Sequence, residues 1–179
     1  MNPAPNLVLV GPMGAGKTSI GKRLAQQFGL DFVDADHRLE EITGAAVPLI
    51  FECEGEAGFR QREATLIAEL MRGEGQLVAT GGGAVLAEGN RAALTARGFV
   101  VHLRVGIEQQ LDRLARDRSR PLLATGDRRE KLESLARLRT PLYESVADLS
   151  FDSDGLSVGQ AAERLGQALA LHWRRSEAA

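Results

Sequence analysis

One cysteine, Cys53, is all the thiol in this chain of 179 residues. A single cysteine forms no internal disulfide and no Cys-rich metal site, and it suits a reducing cytosol. Three histidines, His37, His102 and His172, lie at no metal-ligand spacing. Neither sign of charge is in excess. The 22 Lys and Arg against 24 Asp and Glu leave a net charge of −2, so no basic field invites nucleic acid. No apolar run approaches membrane-spanning length. The short one near the N-terminus has no basic lead and does not read as a signal peptide. Repeats, low-complexity linkers and long apolar heptads are all missing. What remains, 44% hydrophobic and 26% charged, predicts one globular domain with its own core, cytoplasmic and monomeric, with no nucleic-acid or membrane partner. Cys53 reads as a packing residue at the end of an apolar stretch.

The strongest positive signal is Gly11-Pro12-Met13-Gly14-Ala15-Gly16-Lys17-Thr18. It fits G-x-x-x-x-G-K-[ST], the phosphate-binding P-loop. It follows the apolar run at 6–10 and opens a helical pattern at 17–28. The glycines let successive backbone N–H groups converge on one anion, and the helix N-terminus adds partial positive charge. Lys17 would reach the β/γ-phosphates and Thr18 would ligate Mg²⁺. Elsewhere strand-like runs (7–10, 32–34, 77–79, 99–103, 149–151) alternate with helical ones (17–28, 38–43, 57–72, 89–96, 107–116, 128–146, 157–171). Such alternation predicts an α/β fold: a five-stranded parallel sheet with helices on both faces. Ligands then sit beyond the C-terminal strand ends.

Three groups of residues stand at those ends. Asp34-Ala35-Asp36 places two carboxylates two apart where the second strand stops. One suits the metal and the other a substrate hydroxyl; the alternative is a helix N-cap at Asp36. Thr80-Gly81-Gly82-Gly83 follows the third strand. It suits close approach of a ligand to backbone, or else a tight turn with positive φ. Arg60, Arg120 and Arg139 supply cationic forks, with solvated surface charge as the alternative for each. The charged stretch around Arg120, within 115–127, reads as a mobile lid that would exclude water from the phosphates.

Taken in order, GPMGAGKTSIG, the D-A-D pair, GEAGFRQRE, ATGGGAV, SRPLL and LRTPLYE resemble the shikimate kinase family, over about 6–171. The resemblance implies a P-loop three-layer sandwich like that of nucleoside-monophosphate kinases. It implies an ATP-dependent kinase that makes shikimate 3-phosphate and ADP. It places Gly14, Ala15, Gly16, Lys17, Thr18, Ser19, Arg113 and Arg120 on ATP, with Arg113 against the adenine. Thr18 and Asp34 fall on Mg²⁺. Asp36, Arg60, Gly81, Gly82, Gly83 and Arg139 fall on shikimate, the two arginines clamping its carboxylate. Lys17, Asp36 and Arg120 are the expected catalytic groups. The segment 151–156 departs from the family's adenine-contacting pattern, and the tail 172–179 matches nothing and is expected to fray.

Two other classes compete. A gluconate or nucleoside-monophosphate kinase would share the P-loop. A nucleotide-dependent switch would share it too, but no N-K-x-D guanine-reading segment is present, and a paired acceptor site would serve no purpose in a switch.

Overall fold

A computed structural model describes residues 2–115 and 126–175. Strand β1 (Asn2–Ala4) leads into β2 (Asn6–Val10), helix α1 (Lys17–Phe28), β3 (Asp31–Asp34), α2 (Ala35–Thr43) and α3 (Val47–Leu70). Then come β4 (Gln76–Ala79), a 3-10 turn (Ala84–Leu86), α4 (Glu88–Arg97), β5 (Gly98–Arg104) and α5 (Ile107–Leu114). The chain closes with α6 (Arg128–Val146), β6 (Leu149–Asp152), α7 (Val158–His172) and β7 (Trp173–Arg175). No described helix is long and apolar enough to cross a membrane.

Five strands form one parallel sheet in the order β3-β4-β2-β5-β6. Leu7, Val8, Leu9 and Val10 of β2 have no solvent exposure, which is why the central strand reads as an unbroken apolar run. Their parity divides the core. Leu7 and Leu9 pack with Leu24 of α1 and Leu165 and Leu169 of α7. Val8 and Val10 pack with Ile67 of α3, Leu94 of α4 and Tyr143 of α6. Successive side chains of a strand point to opposite faces, so helices must cover both. Glycine permits the closest approach: a Cβ at Gly21 would lie 2.8 Å from the Phe32 ring.

Two features depart from expectation. Helix α3 begins at Val47, ten residues before the expected start, and breaks at Gly55, where φ is 70° and ψ 179°. Of 47–54 only Ile50 is buried, so no apolar stripe marks that half as a helix. The tail is also not frayed through Arg175. Strand β7 pairs in parallel with β1. Trp173 is buried, donates its indole N–H to the Ala4 carbonyl and meets the Phe28 ring edge-on. A buried indole with its donor satisfied anchors a chain end that no motif announces. Residues 176–179 lie outside the described residues. Cys53 is exposed rather than packed, because it lies on the helical half that buries only Ile50.

Candidate active site

The P-loop takes the conformation that its glycines allow. Gly11, Gly14 and Gly16 have φ of 146°, 80° and 94°. A Cβ at Gly11 would overlap the Leu103 carbonyl. Helix α1 starts with no side-chain cap and no acidic residue in its first turn. Its leading N–H groups and dipole are therefore available to an anion. Lys17 Nζ donates to the Gly11 and Pro12 carbonyls at 2.7 and 2.9 Å, which folds the lysine over the loop.

Thr18 and Asp34 meet at the neighbouring strand end. The Thr18 hydroxyl donates to Asp34 Oδ2 at 2.5 Å. Asp34 Oδ1 accepts the backbone N–H of His37 at 3.2 Å. The α2 cap is thus Asp34, not Asp36. Capping uses one oxygen and leaves the other on Thr18. Asp36 sits in the first turn, in the cavity wall.

The acceptor side is built from α3, the glycine run and α6. Arg60 donates to Glu63 at 2.8 Å and lies 3.4 Å from Glu56, with its guanidinium 5.2 Å from the Phe59 ring centroid. Glu63 is 1% exposed. Burial pushes its carboxyl above the usual range, against the pull of Arg60. None of Gly81, Gly82 and Gly83 has positive φ, so turn conformation does not explain them. Space does. A Cβ at Gly81 would lie 2.8 Å from Asp36 Oδ1 and 3.0 Å from Glu63 Oε2, and one at Gly83 would overlap the Arg60 guanidinium. Arg139 is 4% exposed and sits beside Gly82.

These groups line one cavity of about 410 Å³. Its wall carries Lys17, Arg60, Arg113 and Arg139 against Asp34, Asp36, Glu40 and Glu63. Charge is balanced overall but sorted by position. The ammonium and loop N–H groups lie at one strand end, and two guanidiniums frame the glycines. A cavity of this kind can hold a phosphate chain and a small hydroxylated carboxylate together.

The profile of the shikimate kinase family matches residues 13–170. This chain belongs to the shikimate kinase family. A shikimate kinase of Stenotrophomonas maltophilia strain K279a is 54% identical over 177 residues, covering 99% of this chain and 98% of that one. One from Xanthomonas campestris pv. campestris strain 8004 is 55% identical over 176 residues, 98% of each chain. Among solved structures, the Acinetobacter baumannii shikimate kinase in complex with shikimate superposes with a TM-score of 0.91 at 43% identity, covering 94% of both chains. The Aquifex aeolicus shikimate kinase gives 0.79 at 26% identity, covering 93% of this chain and 98% of that one.

The cavity of this shikimate kinase family member brings together most residues singled out in the sequence. Gly14, Gly16, Lys17, Thr18, Ser19, Asp34, Asp36, Arg60, Gly81, Gly82, Gly83, Arg113 and Arg139 all line it. Ala15 does not. It is fully buried, its N–H donates to the Pro12 carbonyl, and its own carbonyl accepts from Ser153 at 3.1 Å. Arg113 donates to the Gly14 carbonyl at 2.7 Å and to the Ser153 carbonyl at 3.3 Å. Ser153 therefore knots the P-loop to the segment after β6, where no motif was legible. Arg120, and the lid over 116–125, fall outside the described residues. Gly126 and Asp127 are described, and the Asp127 side chain caps α6.

Sequence reasoning passed over Glu63, Tyr143, Phe51 and Phe59. Glu63 stands three residues after Arg60 on a helix, a spacing that pairs opposite charges. Tyr143 stands four after Arg139, again on one helical face. Both signals were present inside GEAGFRQRE and LRTPLYE. Phe51 and Phe59 stack at 4.6 Å between centroids across the break at Gly55, which no periodicity reveals.

Proposed function

We propose that this chain transfers the γ-phosphoryl group of ATP to the 3-hydroxyl of shikimate, giving shikimate 3-phosphate and ADP. The observation that carries the reading is the meeting of Arg60, Arg139, Asp36 and the glycine run with the P-loop in one cavity. Two guanidinium forks match the two oxygens of a carboxylate. Held from separate helices, they orient the ring so that one hydroxyl faces the γ-phosphorus.

The hydroxyl oxygen forms the new bond to phosphorus while the bond to the β–γ bridging oxygen breaks. Asp36 takes the hydroxyl proton, and the electron pair of the broken bond leaves with ADP. Positioning and charge neutralisation supply most of the acceleration, because this transfer needs little covalent assistance. Lys17, with the backbone N–H groups around Gly14, Gly16 and Ser19, binds the phosphates. Arg113 borders the nucleotide side. Arg120 is assigned to the ATP phosphates on the family resemblance alone.

Thr18 and Asp34 fit Mg²⁺. They are hard oxygen donors already in contact beside the P-loop. Among the described residues no group of three or more His, Cys, Asp and Glu side chains could hold a metal by itself. That suits an ion held by one or two protein oxygens, with phosphates and waters completing its shell. Held by Thr18 and Asp34, Mg²⁺ would supply positive charge against the phosphates.

The test is ADP release with shikimate, gluconate and AMP offered separately, with the product's phosphate located by NMR. Shikimate should stimulate release and carry phosphate on its 3-oxygen. No stimulation by shikimate, with stimulation by another acceptor, would overturn the assignment.

A further inference from the structure

Tyr143 is the largest of the fully buried side chains among the described residues, 1% exposed, and lies behind the site, bonded to the glycine run that lines it. It stands one turn after Arg139 on α6, so the two side chains share a helical face. Its phenol O–H donates to the Gly82 carbonyl at 2.5 Å. A Cβ placed on Gly82 would lie 3.4 Å from Arg139 Nη1 and 3.6 Å from the phenol oxygen. The middle glycine therefore touches both residues. The far side of the phenol ring packs on His102, with centroids 5.1 Å apart and planes at 35°.

Packing alone does not hold Arg139. A second cavity of about 210 Å³ is lined by Arg139 itself, Thr140, Tyr143 and His102. Arg139 thus borders a cavity on a second side. What ties its helix to the glycine run at this point is the phenol–carbonyl bond. Burial pushes the phenol up to about 12, while the charge of Arg139 pulls the other way. The hydroxyl thus remains a donor throughout the neutral range.

We propose that Tyr143 is a positioning residue for the acceptor: its bond to Gly82 sets the spacing between the Arg139 guanidinium and the backbone N–H groups of 81–83, and so governs the grip on the acceptor's carboxylate. The inference rests on the assignment of Arg139 to the acceptor. Tyr143 touches neither substrate nor reacting atoms.

Tyr143→Phe keeps the ring on His102 and removes only the hydroxyl. The Gly82 carbonyl then loses its donor. Steady-state kinetics should show the shikimate KM raised roughly 5- to 50-fold, because the Arg139 guanidinium loses its set position against the glycine run. The KM for ATP and kcat should stay within about threefold, a split that a general loss of structure would not produce. Arg139→Ala is measured alongside, with Tyr143→Phe/Arg139→Ala to complete a double-mutant cycle. Coupling between the two substitutions supports the proposal. If Arg139→Ala raises the shikimate KM but Tyr143→Phe moves it less than twofold, the positioning role is overturned and the acceptor assignment stands. An equal rise in both KM values, with a lowered Tm, would reduce Tyr143 to a packing residue and also overturns it. If Arg139→Ala leaves the shikimate KM unmoved, the acceptor assignment fails and the inference falls with it.

Discussion

Asp34 and Asp36 show how two identical side chains two residues apart are given different work. Asp34 ends β3 and spends one oxygen on the His37 N–H and the other on Thr18. Asp36, two residues further, faces the bare Gly81. The spacing was legible as a pair; which member capped the helix was decided by where β3 ends. If Asp36 takes the acceptor's proton, Asp36→Asn should lower kcat by on the order of 10²–10⁴, measured by coupled ADP release, while Asp36→Asn still binds shikimate. His102 carries a separate consequence. Burial, with Arg104 and Lys17 nearby, lowers its pKa to about 4. The folded chain therefore refuses a proton that the unfolded chain accepts below about 6.5. Stability conferred by neutral His102 is complete above that value and is lost as pH falls towards 4, by at most about 3 kcal/mol. Urea titrations of His102→Phe across pH 4–7 should show a shallower acid decline than the parent chain.

Among the elements, α3 and β7 are the ones whose form depends on distant partners. Gly55 breaks α3 at φ 70° and ψ 179°, a conformation open in practice only to glycine. The break lets Phe51 fold onto Phe59, immediately before Arg60. Gly55→Ala should cost about 1–3 kcal/mol in chemical denaturation and raise the shikimate KM, because straightening the helix moves Arg60. Strand β7 exists because Trp173 fills a place between Phe28 and the Ala4 carbonyl. Trp173→Ala should destabilise the fold by about 3 kcal/mol, seen as a lower urea midpoint, with kcat unchanged at 25 °C because the site is built at the other ends of the strands. Helix α1 makes the contrasting case. Its bounds, Lys17–Phe28, were legible to the residue, since Gly16 and Gly29 take left-handed conformations at its two ends.

For the molecule as a whole, five parallel strands carry their loops to one end, and that end holds every cavity-lining residue of the P-loop, the D-A-D pair and the glycine run. Among the described residues, the large exposed apolar side chains, Ile42, Leu49, Leu138, Val158 and Leu171, are spread over four helices, which is a meagre basis for a stable interface. Light scattering of the purified chain should therefore give a mass near the 19.2 kDa of one copy, and a doubled mass would refute the expectation of a monomer.

The chemistry of the donor side and the parallel α/β architecture were already contained in the order of residues. A P-loop is local: its glycines, lysine and threonine are contiguous, and the strand and helix that frame it adjoin them. The unbroken apolar run from Leu7 to Val10, with strand-like and helical segments alternating along the chain, likewise announced a sheet covered on both faces. The acceptor side was legible only as a list. Arg60, Gly81–Gly83 and Arg139 are far apart in the chain, and their meeting depends on β4 pairing beside β2 and on α6 packing against the same face. Why the glycines are glycines was decided there as well. They make room for Asp36, Glu63 and Arg60, side chains from two other helices, and a clash between distant residues leaves no trace in local periodicity.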